Sequence, residues 1–458
     1  MALPFTATPG LTAIATLPDE PRPIDYFSLF FHQTEFEEIA VETNRYAKTF
    51  LEKNRGMLKE KSRFRKWTDT TWQEMKVFVS MFAMGLTVQL VFSEYWTTDE
   101  VTETPFYRKL MSRDRAYLLM SFFHLADNSV YVPRRQPGHN PLHKLGNLYI
   151  NISCFSTIYI PSQHLSLDEG MIPWRGHLSF KVYNPDKPHK YGIKAYMICD
   201  SHTGYCVKFK LYTGKTGLPV TEHGATYDLA FDMMKGYFGQ GYILCMDNYY
   251  SSLQLYWDLW ISGVGATGTL RANRRGIPAI LKAAPCKGKG STCVAHNKEL
   301  MILKFLDRKI VHLITTTEKA AFVATGKNDP QTQEPIKKPA VVIKYIKYDK
   351  NMGGVDHSDQ MVSYATFSSW TLKWWKRVIF HFISLATLNA YLLYKERVGE
   401  GNAMLPRQFR KKLVKEILLS VDPEQMPAWA GRKGPGRPFT RTDNNTAFRL
   451  HGRHFPGT

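Results

Sequence analysis

The sequence predicts an α/β core carried between two helical flanks, with a β-rich stretch set into it. Three observations lead there. Tyr242 to Met246 is an apolar run without alternation, closed by Asp247, and suits a central strand covered on both faces. Val207, Phe209 and Leu211 alternate with Lys208 and Lys210, the period of a half-buried strand. On either side of this region, 72–92 and about 374–396 are helical in pattern and strongly apolar.

The elements follow in order. Residues 1–25, rich in Pro and Thr, read as an extended tail, and 26–160 as mainly helical. Thr71-Trp-Gln-Glu74 is a capping-box pattern opening the helix 72–92. Ser112 can cap the next helix, with Leu118, Leu119, Phe122 and Phe123 on its buried side. Prolines 133, 137 and 141 make 129–146 a loop. Strands are expected at 191–199, 207–211 and 242–246, with helices at 225–238 and 251–263, so 161–265 forms the first part of the α/β domain. Residues 266–340, with short β-rich pieces between Gly/Lys- and Pro/Gln/Lys-rich loops, look like a separate insert. Residues 341–373 return to the core, 374–430 hold the long buried helix, and 431–458 are a basic tail.

A net charge of +20 and a pI near 9.5 point to a polyanionic partner; general solubility is the plainer alternative. The charge is uneven. Residues 1–50 carry three basic and seven acidic side chains, net −4, and 406–458 carry eleven basic and four acidic, net +7. The six cysteines form no C-x-x-C pair, so no structural zinc is expected; Cys286, Cys293 and His296 are a weak metal-ligand set. The stretch Val77 to Phe92 is short for a membrane span and contains Ser80, Thr87 and Gln89, so it reads as a core helix and no membrane association is expected. The N-terminus shows no signal-peptide pattern.

Three aspartates carry the chemistry. Asp168 lies in His164-Leu-Ser-Leu-Asp-Glu-Gly170, Asp247 ends the apolar run, and Asp356 follows Gly353-Gly354. Carboxylates closing apolar runs are costly unless solvated, paired or metal-bound. Brought together, three would repel and call for divalent cations, the equipment for cutting and rejoining phosphodiesters. The plainer reading makes each a cap or turn residue, above all Asp356 after its glycine pair.

Several segments resemble the piggyBac family of DNA transposases and the cellular proteins derived from them. They are Leu167-Asp-Glu-Gly-Met-Ile-Pro-Trp-Arg-Gly176, Lys190-Tyr-Gly-Ile-Lys194, Met246-Asp-Asn-Tyr-Tyr-Ser-Ser252, Gly268-Thr-Leu-Arg-Ala-Asn-Arg-Arg-Gly-Ile-Pro278 and Met352-Gly-Gly-Val-Asp-His-Ser-Asp-Gln360. Tyr95-Trp-Thr-Thr98 and Met111-Ser-Arg-Asp-Arg115 are similar too, and the resemblance covers roughly 26–455. It implies a ribonuclease H-like catalytic domain of the DDE/DDD type, interrupted by an insertion domain, and a helical dimerisation and DNA-binding domain built from both flanks. It implies catalytic, metal-holding roles for Asp168, Asp247 and Asp356 and an accessory role for Asp359. Two divalent cations are implied, magnesium first and manganese as the alternative. So are nicking of double-stranded DNA at transposon ends, hairpin formation, strand transfer into TTAA, a homodimer and a nuclear location.

Arg271, Arg274 and Arg275, with Lys181, Lys190 and Lys194, can neutralise phosphates or form a solvated surface. Trp374 matches a family tryptophan that stacks on an unpaired base; a core position before the long helix is the other reading. Arg432-Lys433-Gly-Pro-Gly-Arg437-Pro438 is either a minor-groove hook or a flexible basic linker. Family members usually end in a cysteine-rich zinc-binding domain, and the sequence stops at Thr458 where that would begin. His177, Ala272, Ser369-Trp370 and Gly146-Asn147 stand where relatives usually carry basic residues. That combination leads to an alternative expectation, a domesticated DNA-binding or chromatin protein with reduced or no cleavage.

Overall fold

The computed structural model describes residues 3–83, 91–152, 155–185, 187–214, 220–328, 333–342, 353–364, 371 and 373–422. The segment with Arg432, Lys433 and Arg437, the pair Ser369-Trp370 and the tail 431–458 lie outside the described residues. The chain forms two compact units, one from Met1–Ala15, Cys154–Pro173 and Ser179–Gln360, the other from Thr16–Ser153, Trp174–Leu178 and Met361–Thr458.

In the first unit, β1 (Gly10–Leu11) pairs antiparallel with β2 (Tyr159–Ile160). A nine-stranded sheet follows from β3 (His164–Pro173), β4 (Val182–Tyr183), β5 (Tyr191–Asp200), β6 (Cys206–Leu211), β7 (Ile243–Met246), β8 (Gly265–Thr269), β9 (Thr292–His296), β10 (Met301–Leu306) and β11 (Ile310–Thr315). Its order is β4-β5-β3-β7-β8-β11-β10-β9, with β6 on β5. The pairs β3–β7 and β7–β8 are parallel and the rest antiparallel. Central β7 buries Leu244, Cys245 and Met246 almost completely, as its unbroken apolar run requires. Helix Leu253–Ile261 is the crossover that parallel pairing of β7 and β8 demands. A separate antiparallel pair is made by β12 (Phe322–Asn328) and β13 (Pro335–Pro339).

Residues 266–340, read from sequence as a separate insert, share the main sheet: β11 pairs with β8 through Ile314 and Gly268, and β10 and β9 extend it. The reason is visible in β10, where Met301, Ile302, Leu303 and Phe305 are all buried. A strand apolar at successive positions needs cover on both faces, which an isolated hairpin cannot supply. The N-terminal segment is extended as expected but docked. Thr6 N–H donates to the Gln240 carbonyl at 3.1 Å, and the Phe5 ring meets Tyr242 edge-on at 5.1 Å.

The second unit is helical, with Pro23–Ser28, Gln33–Asn54, Trp72–Ala83, Pro105–Leu110, Arg113–Phe122, Trp374–Val398 and Pro406–Leu419 as its main elements. Ser112 caps its helix as expected, accepting from Arg115 N–H. The Thr71–Glu74 box is only half made. Thr71 Oγ1 accepts from Glu74 N–H at 3.3 Å, but the Glu74 carboxylate turns inward to Arg115. Arg115 Nε and Nη2 donate to Glu74 at 2.7 and 2.5 Å, and Nη1 donates to the Thr68 carbonyl at 2.9 Å. Both partners are fully buried, so the charge is affordable only because the fork is filled. Helix Trp374–Val398 is long and apolar enough to cross a membrane by composition, yet 83% of its most apolar window is buried inside the protein, as for a core helix.

Candidate active site

Strand register brings the first two acids together. Leu167 pairs with Met246 across the parallel strands β3 and β7. Asp168 and Asp247 are the next residues on each, so their backbones are neighbours where β7 ends. The Asp247 loop is held tightly: its carboxylate accepts Tyr249 N–H at 2.8 Å, and its carbonyl accepts the Ser251 hydroxyl at 2.8 Å. Ser252 then caps helix Leu253–Ile261, accepting from Leu255 N–H at 3.2 Å.

Helix Gly354–Ser363 brings the other two. A Cβ on Gly354 would stand 2.5 Å from Ser166 Oγ and 3.1 Å from the Asp200 carbonyl, so only glycine lets the helix start this close to β3. Asp356 sits in its first turn, where the helix dipole favours a negative charge. Further along, Asp359 packs over Gly170: its oxygens lie 3.1 and 3.4 Å from where a Cβ would be, and Oδ2 accepts Met171 N–H at 3.3 Å. Ser166, Asp168 and Gly170 alternate along β3 onto one face, so the helix crosses above the Asp168 side chain.

Burial pushes the Asp168 carboxyl up to about 7; Lys187 opposes the rise, while Glu169 and Asp356 add to it. Burial likewise lifts Asp359 to about 6, against the pull of Lys187, and raises Asp247 against its hydrogen bond from Tyr249 N–H. Lys187 Nζ donates to Asp356 Oδ1 at 3.0 Å. Asp200, at the end of β5 and fully buried, makes the contrast. Its carboxylate accepts from the N–H groups of Ser162, His202 and Thr203 at 2.6, 2.8 and 3.0 Å, the pattern of a structural turn.

The donor set of Asp168, Asp247 and Asp356 is all carboxylate oxygen, with no thiolate or imidazole, and suits a hard divalent cation. Among the described residues no three His, Cys, Asp or Glu side chains are gathered closely enough to hold an ion as they stand. The Cys286 thiol instead meets Ser291, and Cys293 the Pro285 carbonyl.

The basic residues divide. Arg274 donates to the carbonyls of Asn248 at 2.9 Å and Tyr249 at 2.6 Å, and Arg271 Nε to Asn248 Oδ1 at 2.9 Å, so both brace the Asp247 loop. Lys194 pairs with Glu169 at 2.5 Å and lies over the rings of Tyr196 and Tyr249. Arg275 and Lys190 are exposed. Trp374, half-buried in its own unit, opens the long helix edge-on to Trp375. An open groove of about 630 Å³ beside Asp247 is lined by Asn248, Thr269, Lys282, Lys304 and His312 among others. Sequence reading passed over Lys187; its only signal is a lysine between two prolines in a short interstrand loop.

Residues 22–391 match the family model described as Transposase IS4. Three human proteins are similar. PiggyBac transposable element-derived protein 2 is 24% identical over 395 residues, 82% of this chain and 62% of that protein. PiggyBac transposable element-derived protein 3 is 26% identical over 349 residues, 70% and 54% respectively. PiggyBac transposable element-derived protein 5 is 22% identical over 431 residues, 88% and 76%. The chain thus spans 62% and 54% of the length of the first two. The cryo-EM structure of a piggyBac transposase synaptic complex with hairpin DNA superimposes with a TM-score of 0.75 at 24% identity, over 98% of this chain and 94% of that one. The fold is therefore that of the piggyBac transposase on which the chain superimposes.

Proposed function

Since the chain belongs to the family described as Transposase IS4, as a piggyBac transposase or a protein derived from one, we propose that its acidic site cuts and rejoins DNA. The observation that carries this is the adjacency of Asp168 and Asp247 on parallel strands, with Asp356 on the helix above them. Asp168, Asp247 and Asp356 would hold divalent cations, magnesium or manganese, and Asp359 would support them. Such ions activate an attacking oxygen and stabilise a leaving one.

The reaction is nicking at transposon ends, hairpin closure through the freed 3′-hydroxyl, and joining to TTAA. The groove that Asn248 lines, next to Asp247, carries the exposed Lys282 on its wall and suits a phosphodiester backbone. The exposed Arg275 and Lys190 add sequence-independent contacts. The rest of the reading is a helical domain that dimerises and binds DNA with Trp374, and a nuclear homodimer working on two ends at once.

A second reading is a domesticated DNA-binding or chromatin protein that cuts poorly or not at all. It is favoured by the internal engagement of Lys194 and Arg274, cations otherwise available to phosphates. A nicking assay on supercoiled plasmid bearing TTAA sites separates the two. Magnesium-dependent nicking that Asp247→Asn abolishes supports the first; DNA binding without nicking by either protein selects the second.

A further inference from the structure

Lys187 reaches one of the site's acids, Asp356, from another part of the sheet. It sits in the loop between β4 and β5, whose base is closed by Asn184 N–H donating to the Lys190 carbonyl at 2.8 Å. Pro185 and Pro188 stiffen this loop on either side of it. Although it is a loop lysine, its side chain is only 19% exposed, while its partner Asp356 is 67% exposed. The lysine is therefore tucked in beneath Asp356, and the pair is no ordinary surface bridge. Its ammonium bonds Asp356 at 3.0 Å. Burial would depress its basicity, yet Asp168, Asp356 and Asp359 together raise it.

We propose that Lys187 is an exchangeable counter-ion: its ammonium holds Asp356, the acid on the helix over β3, and a divalent cation binding there must displace it. The inference rests on the metal-dependent reading above. Without a cation, converging carboxylates would drive the helix Gly354–Ser363 away from β3 by repulsion. A lysine on a hinged side chain removes that cost and keeps the acids close. It also sets a threshold, because ammonium and cation compete for the same oxygens. Once released, the side chain stands beside the site with its charge free to meet a scissile phosphate.

The test is Mn²⁺ titration of the full chain by electron paramagnetic resonance, for wild type, Lys187→Met, Lys187→Arg and Asp247→Asn, with melting curves in EDTA. Lys187→Met is expected to bind Mn²⁺ ~10-fold more tightly than wild type, since a competing charge a few ångströms away is gone. Its melting temperature should fall in EDTA and recover in excess Mn²⁺, and Lys187→Arg should stay within about 3-fold of wild type. Equal or weaker Mn²⁺ binding by Lys187→Met, while Asp247→Asn loses binding, overturns the counter-ion and leaves the metal site standing. No Mn²⁺ binding by any protein, Lys187→Met included, overturns both. Should Lys187→Met not fold even with Mn²⁺, Lys187→Gln is read in its place by the same criteria.

Discussion

Leu167 and Met246 face each other across parallel strands, and so the two residues that follow them, Asp168 and Asp247, emerge side by side. Neutralising either should disable a site built on their joint charge. Asp168→Asn and Asp247→Asn are each expected to lower magnesium-dependent nicking by at least ~100-fold, the scale on which single preorganised electrostatic groups act. Plasmid relaxation against time, at matched DNA binding, checks it; residual activity within tenfold of wild type would remove these residues from the chemistry.

Burial pushes the Asp168 carboxyl up to about 7 from its ordinary value of 3.8. The folded state therefore holds this proton more tightly than the unfolded one, and stability falls as pH rises from about 4 to about 7, then levels off. Asp168→Asn removes that slope. In EDTA its melting temperature should exceed that of wild type by at least about 2 °C at pH 8 and converge with it near pH 4. A constant offset across the range would mean that the burial of this charge is already compensated.

Arg274 and Arg275 are adjacent in sequence and opposite in use. Arg274 spans two carbonyls of the loop that carries Asp247, and Arg275 is exposed. Arg274→Ala should cost about 1.5–3 kcal/mol of stability, the range for hydrogen bonds from a charged donor. Arg275→Ala should leave the melting temperature unchanged and flatten the salt dependence of DNA affinity by about one unit of slope. Denaturant melts and fluorescence anisotropy at several salt concentrations separate them; the reverse assignment would show that the loop needs no brace.

In the helical unit, Arg115→Met strands the Glu74 carboxylate in a fully buried place. The expected loss is about 3–5 kcal/mol, and the double variant with Glu74→Leu should recover part of it. Chemical denaturation of the three variants measures the coupling. A single variant as stable as wild type would mean that water reaches the acid.

The strands around the site were legible because their backbones leave a pattern. An unbroken apolar run marked β7, alternation marked β6, and an acid at the end of the run marked Asp247. Long-range partners left none. That Glu74 would abandon its capping box for Arg115, 41 residues away, depends on the packing of two helices. The glycine pair before Asp356 looked like a turn, yet Gly354 is there to let a helix settle on Ser166, a closeness no local pattern encodes. Lys187 and Arg274 were equally opaque. A lysine or arginine in a polar loop looks the same whether it meets solvent, phosphate or the protein's own oxygens.

Gly170 carries no charge and touches no substrate in any scheme, yet a Cβ there would stand 2.6 Å from Met197 Sδ and 3.1 Å from the nearer Asp359 oxygen. An alanine there would crowd Met197 and press on the fourth acid while every aspartate stayed in the chain. A decaying copy of such a gene could thus fall silent through one added methyl, and an inventory of its acids would still pronounce it competent.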